Sequence, residues 1–381
     1  IAMTRILTTH VGSLPRPQPV VDFVFAKERG EQYDKAAFNA CIAENVSACI
    51  AKQKKAGVDI VSDGEMSKIS YSTYIKDRYT GYSGDSPRKA PADLQLFPRF
   101  LERIAASGGT PEFARPMCTG EIRSKDTGDL EQDIANMKAG MAENGVERGF
   151  MNAASPGVVA QFLPNAFSFY KTREDYLMAL AEVLKAEYEA ITSAGLDLQI
   201  DCPDLALARH VLHADESEEA FVASTEANVN ALKYALQNVP MEQVRVHICW
   251  GNYEGPHVCD IGLNAILSRL LSTNAKYFLF EGANPRHAHE WTVFRDRADE
   301  LSPEAVLIPG VVDTTSNFVE HPELVAQRLA NFISIVGADR VMAGTDCGFG
   351  TFAGFGAIDA DIAYAKLATA AEGAAIASGS I

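Results

Sequence analysis

His247 and Cys249 stand two residues apart at the end of the apolar, β-branched run Val244-Arg-Val-His-Ile-Cys-Trp250. Side chains i and i+2 of a strand share one face, so this pair projects together while Ile248 points the other way. Two further apolar runs end in metal-binding groups. Lys276-Tyr-Phe-Leu-Phe ends in Glu281, and Arg340-Val-Met-Ala-Gly-Thr-Asp ends in Cys347. One imidazole, two thiols and one carboxylate, each at the C-terminal end of a strand, suit tetrahedral zinc. Thiolate and imidazole together select Zn2+ over Mg2+ or Ca2+. A His-x-Cys pair alone reads as a buried thiol beside a satisfied imidazole. Glu281 and Cys347 at equivalent places on other strands turn the reading to a metal centre.

The ligand types also say what such a centre would do. Glu281 is the hard oxygen ligand among softer ones, and so the natural one to leave for an incoming substrate. Two thiolates already neutralise the ion, so a substrate thiol bound there would lose its proton and stay electron-rich. This favours a sulfur nucleophile at neutral pH over strong activation of a carbonyl. Alkylation of a thiol is the reaction that uses it.

Eight strand-like runs alternate with amphipathic stretches and could position these residues. The first run covers 5–11 and leads into Gly12-Ser13. A helix is expected over Lys35–Ala56, stopped by Gly57, then a strand over 58–62 leading into Asp63-Gly-Glu65. The alternation breaks over 70–124, which is rich in Tyr, Gly, Pro and Arg and reads as an inserted hairpin or lid. Helix resumes at 129–144. Strands at 148–152 and 196–201 follow, with helices at 173–194 and 216–237. The strands bearing His247 and Glu281, one over 305–313, a helix from Pro322 to Gly337, the strand before Cys347 and an Ala-rich helix complete the chain. Eight βα units indicate a (β/α)8 TIM barrel in the α/β class, read as one domain over 1–381. No G-x-G-x-x-G follows the first strand, so a doubly wound dinucleotide fold lacks its mark.

Composition narrows the partners. The 381 residues are 47% hydrophobic and 22% charged, ordinary for a globular protein. The net charge of −16 argues against nucleic acid and anionic membrane. No apolar run reaches the ~20 residues of a spanning helix. The start, Ile1-Ala-Met-Thr-Arg, carries no signal-peptide pattern. Seven cysteines argue against a disulfide framework and for a reducing cytoplasm. The partners expected are a small-molecule thiol and a methyl or alkyl donor. Oligomer formation is compatible with this composition.

Barrel active sites lie where strands end and βα loops begin. Polar residues gather there: Ser13, Glu65, Asn152, Asp201, Asp313 and Asp346 join the four metal candidates. Asp346 and the loop histidine His257 are candidate catalytic groups. Cys41 and Cys49 read as helix core, Cys118 falls in the insertion, Cys202 points away from Asp201, and Cys259 lies in a loop. His10 points from the first strand, and His287 and His289 begin a helix.

The ordered set Thr8-Thr-His-Val-Gly-Ser-Leu-Pro-Arg, Val61-Ser-Asp-Gly-Glu65, Gln199-Ile-Asp-Cys-Pro, His247-Ile-Cys, Phe280-Glu281 and Thr345-Asp-Cys347-Gly resembles the C-terminal catalytic barrel of cobalamin-independent methionine synthases. The resemblance covers nearly the whole chain and implies a zinc-dependent S-methyltransferase with a (β/α)8 fold. It implies His247, Cys249, Glu281 and Cys347 as zinc ligands. Ser13, Glu65 and Asp201 would hold the amino-acid part of homocysteine. Glu65 and Asp201 can receive an ammonium, and the Gly12-Ser13 turn a carboxylate. The sequence departs from that pattern at Asn152-Ala-Ala-Ser-Pro-Gly, which lacks the tryptophan on which the family stacks its folate. It departs again at Thr314-Thr315, where the family has a histidine. The methyl donor is therefore left open. Short relatives include epoxyalkane:coenzyme M transferases, so alkylation of that thiol is the alternative within enzymes. A zinc- or thiol-binding protein without turnover is the alternative outside them. A barrel of the decarboxylase type would have no use for the His/Cys set.

Overall fold

The computed structural model describes residues 4–107 and 113–379; the first three residues, five within the 70–124 segment and the last two lie outside that description. Seven parallel strands form one curled sheet. They are β1 (Val61–Ser62), β4 (Gly149–Ala154), β5 (Asp197–Asp201), β6 (Val244–His247), β7 (Tyr277–Phe280), β8 (Val306–Val312) and β9 (Gly344–Thr345), each paired with the next. The first expected strand closes this sheet into a barrel, but only in fragments. Thr8 bridges Ala343 in parallel on one side, and the Asp59 N–H donates to the Thr8 carbonyl at 2.9 Å on the other. Its ladder is broken because side chains take two of its N–H groups. Ile6 N–H donates to Ser378 Oγ at 2.9 Å and Thr8 N–H to Asp59 Oδ2 at 2.8 Å.

Alternation along the strands sorts side chains into two layers. Leu198, Ile200, Val244, Val246, Phe278 and Phe280 face outward into the large core beneath the helices. Phe150, Tyr277, Leu279, Val306 and Ile308 fill the barrel interior with Val11 and Ile60. A polar brace crosses that interior. The Arg245 guanidinium lies over the Phe150 ring at 3.7 Å and donates to Gln199 Oε1, Thr9 Oγ1 and the His10 carbonyl. The same inward register continues upward to Asp201, His247 and Cys249.

The helices expected at Lys35–Ala56 and Asp129–Asn144 form with those bounds. Asp34 Oδ1 caps the first by accepting the Ala36 and Ala37 N–H groups, and Gly57 ends it at φ +91°. The helix Gln18–Glu28 is an addition to the sequence reading; its start is set by Pro17, whose φ is −61°. Within 70–124, β2 (Tyr82–Ser83) pairs antiparallel with β3 (Met117–Cys118). This segment also carries the short helices Ile75–Arg78, Ala92–Gln95 and Pro98–Ala106. Ser70 bridges Phe352, tying its start to the loop after β9. No described helix is long and apolar enough to cross a membrane.

Candidate metal and thiol site

Parallel register assembles the core of the site. Asp201 and His247 are partners across β5 and β6, and His247 pairs with Leu279 across β6 and β7. Continuing the last pairing by two residues sets Cys249 beside Glu281. The Trp250 N–H donates to Glu281 Oε2 at 3.3 Å, which pins that alignment. On the far side, the loop after β9 is stitched to the loop after the first strand. Phe349 N–H donates to the Ser13 carbonyl at 2.8 Å and Gly350 N–H to Ser13 Oγ at 3.2 Å. This brings Cys347 and Ser13 to the same rim. A Cβ on Gly348 would sit 1.9 Å from Ser13 Oγ, so the close approach requires glycine.

Cys249 and Cys347 are both buried and hydrogen-bonded to each other. The Cys347 hydrogen bond, with the nearby His247, draws the Cys249 thiol down to about 7, whereas Cys347 as donor is pushed up. Glu281 is 7% exposed. Burial, then the negative field of Cys249, Asp346 and Asp260, drives its carboxyl well above the usual range. Excess negative charge in a buried pocket is the setting a divalent cation relieves.

His247 is oriented as metal-binding histidines usually are. Its Nδ1 lies 3.1 Å from Asp201 Oδ1, and its Nε2 lies 3.3 Å from the Asp346 carbonyl, an acceptor whose hydrogen bond a metal ion at Nε2 would replace. Burial opposes charging the ring, but Asp201 outweighs it and raises the pKa. In donor chemistry the four residues fit a zinc ion. They are not gathered into a closed cage, however. Among the described residues, the group with ligand atoms all within 4.8 Å of one another is His210, His257 and Asp260.

The expected substrate residues line the neighbouring wall. Glu65 is 2% exposed and adopts φ +56°, and its Oε2 has no hydrogen-bond partner. Burial raises its carboxyl to about 7; Lys68 and Arg16 pull it down, and Asp201 and Asp63 push it up. Asp201 Oδ2 accepts from Asn152 Nδ2 at 3.0 Å. His10 supports the turn beside them. It takes the Gly12 N–H on Nδ1 and pairs with Gln53 through Nε2, and burial lowers its pKa to about 4.

The two candidate catalytic groups are committed elsewhere. The Asp346 carboxylate accepts from the N–H groups of Gly282, Ala283 and Asn284 and from Asn284 Nδ2, at 2.8–3.0 Å. It holds the turn that follows Glu281. His257 lies against Asp260 and the Tyr253 carbonyl. Two residues escaped the sequence reading. Tyr71, from the inserted segment, has its hydroxyl raised by burial and then by the charges of Cys249 and Cys347. Asp260 binds His257 and His287 together. Neither lies on a strand, so alternation could not find them.

Comparison with known proteins gives consistent matches. Residues 165–368 match the family model described as the catalytic domain of cobalamin-independent synthase. Methionine synthase of Thermococcus kodakarensis is 23% identical over 374 residues, covering 97% of this chain and 92% of that one. The 2-hydroxypropyl-CoM lyase of Xanthobacter autotrophicus is 26% identical over 369 residues, covering 90% and 89%. A B12-independent methionine synthase from Shewanella sp. W3-18-1, solved with selenomethionine, superposes with TM-score 0.72 at 19% identity over 98% of both chains.

Proposed function

The chain belongs to the cobalamin-independent methionine synthase family, and from that premise we propose that it is a zinc-dependent S-methyltransferase acting on homocysteine. The observation that carries this reading is the buried Cys249–Cys347 pair beside Glu281, with the His247 ring locked by Asp201. Zinc held by these four residues would supply the charge that keeps an acceptor thiol deprotonated at neutral pH.

The remaining work falls to the chain itself. Asp201 holds the His247 tautomer. Glu65, with an unpartnered buried oxygen, and Asp201 receive the substrate ammonium, and the Gly12-Ser13 turn receives its carboxylate. Fixing those groups aims the substrate sulfur at the strand ends, where it meets the methyl donor in line. The 70–124 segment acts as a lid within a single barrel domain, and Tyr71 brings it over the cysteine pair. The free thiols support the reading of a reducing cytoplasm as its compartment.

Similarity to the 2-hydroxypropyl-CoM lyase favours a second reading, alkylation of coenzyme M. The acidic pair Glu65 and Asp201 speaks against it, since a sulfonate brings no ammonium to pair with them. Zinc content, zinc-edge absorption with each thiol, and methyl transfer from a panel of donors test both readings. We expect homocysteine, not coenzyme M, to change the zinc edge, and Cys347→Ser to lose zinc. Full turnover by metal-free protein would sink the proposal.

A further inference from the structure

His210, His257 and Asp260 form a second constellation beside the cysteine pair. His210 lies in the short helix Ala208–Val211 after β5; the other two lie in the loop after β6. The His210 side chain is 1% exposed and its Nδ1 has no hydrogen-bond partner, although Asp260 Oδ1 lies 3.5 Å away. Its Nε2 lies 3.3 Å from the Tyr253 hydroxyl, which itself donates to Asp93 Oδ1 at 2.8 Å. With its one hydrogen spent on Asp93, that hydroxyl can only accept from His210. The His210 proton is therefore on Nε2, and a bare Nδ1 lone pair faces a carboxylate. Two lone pairs so placed repel each other; a cation between them would make the contact attractive.

His257 approaches the same carboxylate differently. Its Nε2 lies 3.0 Å from the Tyr253 carbonyl, which can only accept, so Nε2 carries a hydrogen. Its Nδ1 also faces an acceptor, Asp260 Oδ2 at 3.0 Å, so it donates there, and a metal ion would take the place of that proton. The ring is held on a backbone at φ +53°, a conformation that side-chain-bearing residues seldom adopt. It stacks on Tyr253 at 4.3 Å, and Asp93 Oδ2 accepts its N–H at 2.8 Å. Asp260 is oriented by His287 Nε2 at 2.8 Å, and Glu290 holds His287 from behind. Histidine ligands usually spend the second ring nitrogen on a carbonyl or carboxylate relay, and ligating carboxylates are themselves hydrogen-bonded. His257 and Asp260 meet that description, and His210 spends its second nitrogen on the Tyr253 hydroxyl instead.

We propose that His210 Nδ1, His257 Nδ1 and Asp260 form a second divalent transition-metal site of the zinc class, separate from the cysteine-bearing one. Two imidazoles and one carboxylate leave a fourth position for water. The ion would pin the loops after β5 and β6 together at the barrel mouth. A single imidazole, His287, separates the two centres; its Nε2 is 2.8 Å from Asp260 and 3.9 Å from Glu281.

The test uses Co2+ added to metal-free full-length protein carrying Cys249→Ser and Cys347→Ser. We expect about one equivalent to bind, with visible d–d bands and no sulfur-to-cobalt charge-transfer band. Adding His210→Gln should abolish that binding. Should His210→Gln fail to fold, histidine-15N spectra of the otherwise intact double-serine protein titrated with Zn2+ give the answer. The Nδ1 signals of His210 and His257 should then move together. Absence of Co2+ binding by the double-serine protein, binding indifferent to His210→Gln, or unmoved Nδ1 signals would each overturn the site.

Discussion

His247 Nδ1 lies 3.1 Å from Asp201 Oδ1, and the two residues are register partners on adjacent parallel strands. The bond is therefore a consequence of strand pairing rather than of loop placement. Asp201 also faces the wall where Glu65 lies, so one carboxylate serves the ring on one side and the substrate ammonium on the other.

Asp201→Asn separates these roles. The amide keeps the shape but can present an N–H to His247, favouring the wrong tautomer. Loss of such a supporting carboxylate costs about 10–100-fold in metal affinity or activity. Competition with a chromophoric chelator should show weaker zinc binding, and KM for homocysteine should rise. Unchanged zinc affinity would separate Asp201 from the metal.

Glu65 sets a pH dependence. Its folded pKa is raised from 4.5 to about 7, so the native state prefers the protonated form. Its stabilising contribution is full below the unfolded value of about 4.3 and is lost as pH rises through about 7. Glu65→Gln should thus gain stability relative to wild type between pH 5 and 8, rising to about 3–4 kcal/mol above pH 7. Homocysteine needs the ionised form, so its binding should release a proton near pH 6–7 in wild type and not in Glu65→Gln. Calorimetry in buffers of differing ionisation enthalpy reads this directly; equal proton release by both proteins would refute the role.

Much of the architecture is legible in the sequence because local rules govern it. Asp34 and Gly57 bound the Lys35–Ala56 helix, and strand alternation gives Asp201, His247 and Cys249 a common face. The first strand is less regular than its apolar pattern suggests, since Ser378 and Asp59 are too distant in sequence to be foreseen as competitors for its N–H groups. The site divides in the same way. Residues on strand ends are found by period, whereas the role of Asp346 depends on a turn whose N–H groups converge on it. His210 and Asp260 are joined only by two βα loops, and no periodicity relates them.

Gly348→Ala probes the seam between the first and last strands. The added Cβ would fall 1.9 Å from Ser13 Oγ, so Ser13 or the Cys347 loop must shift. A displacement of about 1 Å can cost on the order of 100-fold in rate when it spoils alignment. We expect a large fall in kcat/KM and in the unfolding midpoint, with Ser13→Ala in the same protein restoring part of the midpoint by removing the clashing oxygen. Wild-type kinetics for Gly348→Ala would mean that the rim is softer than its packing implies.

Asp346→Ala tests the support beneath Glu281. The aspartate accepts four hydrogen bonds from residues 282–284, three of them from backbone N–H groups. Removing it leaves those donors without their acceptor in a largely buried turn. Each buried donor left unsatisfied costs about 1–3 kcal/mol, and some water will enter, so a net loss of about 3–5 kcal/mol is expected. Denaturant unfolding of metal-free protein isolates this loss from any effect of an ion. Asp346→Asn keeps its acceptor oxygen and should fall in between. If Asp346 instead acted on the substrate, Asp346→Asn would abolish turnover while unfolding at the wild-type midpoint. The four bonds to the turn predict the opposite order, with stability falling first and activity following it.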